Sequence, residues 1–171
     1  REKILSGFGV NAAFLGHDLH GLVWGVDGRL YFSVGDRGFS VTTKEGHTVA
    51  EPRRGAVFRC KPDGTQFEVV HRGLRNPQEL ALDDFGEIFA DDNNCDKGDH
   101  ARLVWIVEGG DSGWNMAYQT IAEPYLTGPW HAEKLWQPAD PQQPAWIVPP
   151  VGQLGAGPAG FAYYPGVGLP E

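Results

Sequence analysis

No run of about 18 apolar residues occurs in this 171-residue chain, so no segment reads as a membrane-spanning helix. Basic residues are few. Lys and Arg number 14 against 22 Asp and Glu, and the net charge of -8 excludes the broad cationic face that nucleic acid or an anionic membrane requires. Cysteine is scarce too. Cys60 and Cys95 are not a CxxC pair, and they either form one disulfide in an oxidising compartment or stay as buried thiols. There is no zinc spacing, no CxxCH, no serine nucleophile elbow and no phosphate loop. Long helical periodicity is absent as well. No signal-peptide pattern opens the chain, although Arg1 is not a natural start and a lost leader is compatible with it.

Turn formers and aromatics are plentiful. With 24 Gly, 13 Pro and 12% aromatic residues, the composition favours many short strands joined by turns. A chain of this length makes one domain and buries about 70% of its unfolded surface. Strands are expected over Leu22–Trp24, Arg29–Val34, Ala56–Cys60 and Phe67–His71, with turns at Val26-Asp27-Gly28 and Lys61-Pro62-Asp63-Gly64. Residues 39–53 are polar and read as an inserted loop. The pattern then restarts. Leu22–Val34 aligns without a gap on Leu80–Asp92, 58 residues on, with Gly28 over Gly86 and Tyr31 over Phe89. Pro158–Tyr164 resembles Pro77–Leu82 and reads as a third start. Four strands per repeat, with a hairpin between the first two, is the pattern of a β-propeller blade; a sandwich with coincident turns is the alternative. The expected fold is all-β, a single domain over 1–171 built as a partial propeller ring of four-stranded antiparallel blades. Two repeats and the start of a third cannot close a ring, so the chain reads as a fragment of a longer protein. Residues 115–156 hold Trp130, Trp136, Trp146 and many prolines, and are expected to form a long loop over one face.

The stretch from Gly73 to Trp114 carries most of the chemistry. Arg75-Asn76-Pro77 is a rigid cationic turn, since proline restricts the residue before it, and the planar guanidinium can grip the oxygens of an anionic cofactor. Asp91, Asp92, Asn93, Asn94, Asp96 and Asp99 offer hard oxygens suited to calcium, though Lys97 and Leu103 stand where an EF-hand needs Gly and Glu. The bland alternative is a solvated acidic loop. His17 and His20 lie before the first strand, beside Asp18, and an imidazole there can take a proton at neutral pH; Asp18 and Asp36 either orient it or cap turns. Gly109-Gly110-Asp111-Ser112-Gly113-Trp114 ends the stretch, and Trp114 either lines a ligand site with its flat apolar ring or packs between blades.

Three motifs in this order, HDLHGLVWGVDGRLYFSVGDRG (17–38), GLRNPQELAL (73–82) and GGDSGW (109–114), resemble the soluble quinoprotein glucose/sorbosone dehydrogenases. The branch most similar is that of planctomycete and verrucomicrobial membrane-bound dehydrogenase-like proteins. The resemblance implies a six-bladed propeller holding pyrroloquinoline quinone (PQQ) with calcium. It implies a catalytic base at His17, with His20 nearby, quinone contacts from Arg75 and Asn76, and a calcium loop near Asn93, Asn94 and Cys95 whose backbone carbonyls supply ligands; with the acidic side chains, the expected metal residues are Asp92, Asn93, Asn94 and Asp99. It also implies a periplasmic or extracellular setting, and would place any haem c outside these residues. Glu79 replaces the family's usual glycine, and Asn94-Cys95 replaces its Gly-Pro pair.

Three functions are therefore weighed. The first is an oxidoreductase that oxidises a sugar or alcohol C–OH with a calcium-bound quinone. The second is a non-catalytic calcium-stabilised binding module. The third is a lactonase-type hydrolase using the metal to activate water.

Overall fold

Four turns of one design organise the chain. In Gly25–Arg29, Thr43–His47, Lys61–Thr65 and Asp83–Glu87, the first N–H donates to the last carbonyl, and the fourth residue, a glycine, donates back to the first carbonyl. These glycines, Gly28, Gly46, Gly64 and Gly86, have φ of 75–89°. This is a type I turn closed by a left-handed residue, which lets antiparallel strands continue with their natural twist.

The computed structural model describes residues 2–10, 16–94, 100–120 and 147–168. Its strands are β1 Leu19–Trp24, β2 Leu30–Val34, β3 Phe39–Thr42, β4 Thr48–Glu51, β5 Gly55–Cys60, β6 Glu68–Leu74, β7 Pro77–Leu82, β8 Ile88–Asp92, β9 Arg102–Trp105, β10 Gly110–Asp111 and β11 Gly152–Gln153. A 3-10 helix covers Met116–Thr120. One sheet runs β1-β2-β5-β6-β10, and a second runs β7-β8-β9-β11. Each contains a four-stranded antiparallel blade, and β10 adds in parallel to the outer edge of the first. No helix of the described residues is long and apolar enough to cross a membrane.

The repeat holds in atomic register. Leu19 pairs with Val34, Val23 with Tyr31 and Trp24 with Leu30; 58 residues on, Pro77 pairs with Asp92, Ala81 with Phe89 and Leu82 with Ile88. Both hairpins also break register within one residue of the equivalent place, at His20/Val23 and Pro77/Leu80. The apolar contents of the two blades meet in one core: Tyr31, Val57, Val70 and Leu74 from the first against Leu80, Ile88, Ala90, Val104 and Ile106 from the second. Alternation along β2 and β5 sends Phe32, Val34, Ala56 and Phe58 to the opposite face.

That opposite face corrects the reading of 39–53 as a loop. β3 and β4 form a hairpin paired from Phe39↔Glu51 to Thr42↔Thr48. Phe39 and Val41 are buried while Ser40 and Thr42 are exposed, so the hairpin lays one apolar edge on the first sheet. Phe8 joins it, with ring centroids 5.2 Å from Phe32 and 5.3 Å from Phe58. Cys60 is a free buried thiol here; Cys95 lies outside the described residues.

Residues 158–164 carry no strand. Even so, the segment spans the second blade from end to end. The Gly157 amide donates to the Asn94 side chain at 3.2 Å, and the Tyr163 hydroxyl donates to Asp84 at 3.3 Å. Most of the expected 115–156 loop, including Trp130, Trp136 and Trp146, lies outside the described residues.

Candidate active site

The two blades present equivalent ends. His17-Asp18 precedes β1 as Arg75-Asn76 precedes β7, again 58 residues apart. Gly35 N donates to the Asp18 carbonyl at 3.3 Å, and its counterpart Asn93 N donates to the Asn76 carbonyl at 3.2 Å. Across the blades, Asp36 N donates to the Arg75 carbonyl at 2.7 Å and Ser33 Oγ to the Pro77 carbonyl at 2.8 Å. The repeat thus brings a histidine and an arginine to neighbouring positions at one end of the sheets.

His17 is 8% exposed, and its Nδ1 lies 2.7 Å from Oδ1 of the fully buried Asp36. A carboxylate oxygen accepts, so the ring donates from Nδ1, and Nε2 is the ring nitrogen left on the side away from Asp36. The other Asp36 oxygen accepts from Trp114 Nε1 at 2.9 Å, and the Arg37 guanidinium stands 3.6 Å from Oδ1. The arrangement is that of a base with an orienting carboxylate. His20 does not share it: its Nε2 bonds the Gly16 carbonyl at 2.8 Å.

Arg75 is buried, and with the Gln119 carboxamide oriented to satisfy its neighbours, its oxygen accepts from Arg75 Nη2 at 2.8 Å. The 3-10 helix that carries Gln119 also sets Met116 Sδ 2.7 Å from Arg37 Nη1. Asn76 is buried and its side-chain oxygen has no hydrogen-bond partner among the described residues; Asn93 Oδ1 and Arg37 Nε are the same. Gly35 makes room for Asn76: a Cβ there would fall 2.6 Å from Asn76 Oδ1 and 2.8 Å from the His17 carbonyl.

Of the acidic cluster, Asp96 and Asp99 lie outside the described residues, and the described members Asp91 and Asp92 do not converge. Asp91 and Asp92 are neighbours on β8, so they project to opposite faces. Asp91 accepts the Glu79 amide at 2.8 Å, and burial raises its pKa. Asp92 accepts Arg75 N at 3.0 Å, Asn76 N at 2.7 Å and Arg102 Nη2 at 2.9 Å. It therefore serves as the anchor of the Arg75-Asn76 turn. The Asn93 carbonyl accepts from Arg102 at 3.0 Å, and Asn94 Oδ1 is held by Gly157. Among the described residues, no three His, Cys, Asp or Glu side chains group as metal ligands.

Trp114 is fully buried, so it supports the site from beneath and does not form an open wall. Its ring meets Tyr118 edge-on at 5.7 Å. A cavity of about 310 Å³ is lined by Arg54, Asp111, Trp114, Asn115 and Tyr118. Two buried residues escaped the sequence reading. Arg102 partners Asp92 directly across the β8–β9 register. His71 donates from Nδ1 to the Val107 carbonyl at 3.0 Å and accepts the Ser112 hydroxyl at Nε2 at 2.8 Å, and burial lowers its pKa. A charged residue heading an apolar run was the one signal for Arg102; nothing local marked His71.

Residues 1–121 match the family described as "Domain of unknown function (DUF7133)". No curated protein matches the chain. Among solved structures, the chain is similar to the PQQ-bound form of the aldose sugar dehydrogenase of Streptomyces coelicolor, with a TM-score of 0.53 and 23% identity over 85% of this chain. The chain spans 39% of that protein's length. The likeness is one of fold, and it agrees with two adjacent β-propeller blades.

Proposed function

The chain belongs to the DUF7133 family, and from that premise we propose that it forms part of a quinoprotein-type oxidoreductase acting on a sugar or alcohol C–OH. One observation carries the reading. The His17–Asp36 pair stands at the same end of adjacent blades as the Arg75-Asn76 turn, with Nε2 of His17 turned away from its carboxylate. The shared fold with a PQQ-bound aldose sugar dehydrogenase supports it.

The residues present fit part of a quinone site. Arg75 supplies fixed positive charge and Asn76 an unpaired buried amide oxygen. We assign the quinone's oxygens to the Arg75 guanidinium; the Asn76 amide oxygen, an acceptor, suits a cofactor N–H or a cation. For calcium, the unpaired Asn93 Oδ1 and the neighbouring Asn94 fit better than Asp92, whose oxygens serve the turn. When bound, the quinone would supply a two-electron acceptor. His17 Nε2 takes the proton of the substrate hydroxyl. Asp36 holds the ring in the competent tautomer and stabilises the imidazolium that forms. Arg75 adds positive charge where negative charge develops.

A non-catalytic module is the second reading, favoured by the burial of Arg75 against Gln119. The deciding experiment reconstitutes the full-length protein with PQQ and calcium and adds aldoses and simple alcohols. Spectral reduction of bound quinone is the expected result. Failure to bind quinone, or bound quinone that no aldose or alcohol reduces, overturns the proposal.

A further inference from the structure

We infer that Trp114 is a positioning residue: its indole N–H fixes the Asp36 carboxylate, and through it the tautomer and orientation of His17. The inference rests on the assignment of His17 as the base. Trp114 and Asp36 are 78 residues apart, both fully buried, and joined at 2.9 Å from Nε1 to Oδ2. Asp36 Oδ1 meets His17 Nδ1 at 2.7 Å, so the indole and the imidazole hold opposite oxygens of one carboxylate. A buried carboxylate needs its oxygens satisfied, and these two bonds set its rotation.

A competing partner makes the indole bond matter. The Arg37 guanidinium lies 3.6 Å from Oδ1, the oxygen that serves His17. With Nε1–H on Oδ2, the carboxylate cannot swing toward Arg37. Without it, an unpaired oxygen and a nearby cation both favour rotation, and Nδ1 of His17 loses its acceptor.

The loop that carries Trp114 is fixed in a way suited to this task. Ser112 N donates to the Arg72 carbonyl at 3.0 Å, Trp114 N to the Gly73 carbonyl at 2.9 Å, and Gly113 N to Asp111 Oδ1 at 2.7 Å. Arg54 Nε reaches the Trp114 carbonyl at 3.2 Å, and the Ser112 hydroxyl bonds His71. Gly73 permits the approach, since a Cβ there would fall 2.6 Å from Gly113 N. A side chain that only filled space could be phenylalanine; here the N–H points at the orienting carboxylate.

The test uses Trp114→Phe, which keeps the ring and removes the donor, with Asp36→Asn as the second variant. The first readout is the ¹⁵N NMR signature of the His17 ring in the protein without quinone. The parent should show one tautomer, protonated at Nδ1, and Trp114→Phe should mix the two. In Asp36→Asn, which keeps Trp114, the indole N–H resonance should move and its exchange protection fall. The second readout is steady-state kinetics of the reconstituted protein, where Trp114→Phe should lower kcat on the order of a hundredfold with KM little changed. An unaltered His17 signature in folded Trp114→Phe overturns the inference, as does an unmoved indole resonance in Asp36→Asn. Should the parent turn over no sugar or alcohol, the oxidoreductase reading fails while the NMR readouts still judge this one.

Discussion

Asp92→Ala should be among the most destabilising single changes in the described chain. Asp92 and Arg102 are 1% and 3% exposed, and their ion pair measures 2.9 Å. The same carboxylate accepts the backbone amides of Arg75 and Asn76. Removing it takes the carboxylate from a buried guanidinium, which keeps the carbonyls of Asn93 and His100 as partners, and takes the acceptor from two buried N–H groups at once. Breaking a buried pair from one side costs about 3–5 kcal/mol, and each orphaned amide adds about 1–3 kcal/mol where water cannot reach it. These terms overlap, so a total of about 4–5 kcal/mol is expected, comparable to the whole stability of a marginal domain. Arg102→Met should cost clearly less, because Asp92 keeps both amides. The assay is urea unfolding followed by tryptophan fluorescence, comparing midpoints at unchanged m. A loss below about 1 kcal/mol in Asp92→Ala, or a larger loss in Arg102→Met, would refute the view that Asp92 anchors the turn.

Two other expectations bear on stability. Gly28→Ala and Gly86→Ala should each cost about 1 kcal/mol or more, because both glycines hold positive φ in matching turns. Gly86 should cost the more, since its Cβ would meet Val26 at 3.0 Å while Gly28 has open space; a penalty at only one, read by thermal unfolding, contradicts their equivalence. His71 gives a pH dependence. Its folded pKa lies below its ordinary 6.5 because it is buried, so the unfolded chain binds the proton first. Stability is therefore unaffected by this group above about pH 6.5, and falls as pH drops below that value, by at most about 1.4 kcal/mol per unit. Denaturation series from pH 7 to 5 should show a steeper loss in the parent than in His71→Gln, and equal slopes would contradict the assignment.

The sequence made the blades legible because hairpin chemistry is local. Asp-Gly and Phe-Gly turns at the same offset mark β1–β2 and β7–β8, and the apolar residues around them keep their register. The β3–β4 hairpin was hidden because its apolar residues, Phe39, Val41 and Val49, are spaced among polar ones, and its partner surface is a distant sheet face. β10 was equally hidden. It pairs in parallel with β6 across a long connection, and only Gly110 betrays it, where a Cβ would fall 2.7 Å from His71 Nδ1. At the site, the resemblance of the motifs brought out His17 and Arg75, which the repeat does place at equivalent positions. What Asp92 and Trp114 do depends on partners 10 and 78 residues away, and no local pattern encodes those.

The central claim is that His17 accepts the substrate proton in a quinone-linked oxidation. Its most direct test is a single-turnover measurement on the full-length protein reconstituted with PQQ and calcium, comparing parent with His17→Gln at matched quinone occupancy. Rapid aldose-dependent quinone reduction is expected in the parent, and in His17→Gln a rate lower by about 10²–10⁴-fold with the quinone still bound. Equal reduction rates in the two proteins would contradict it.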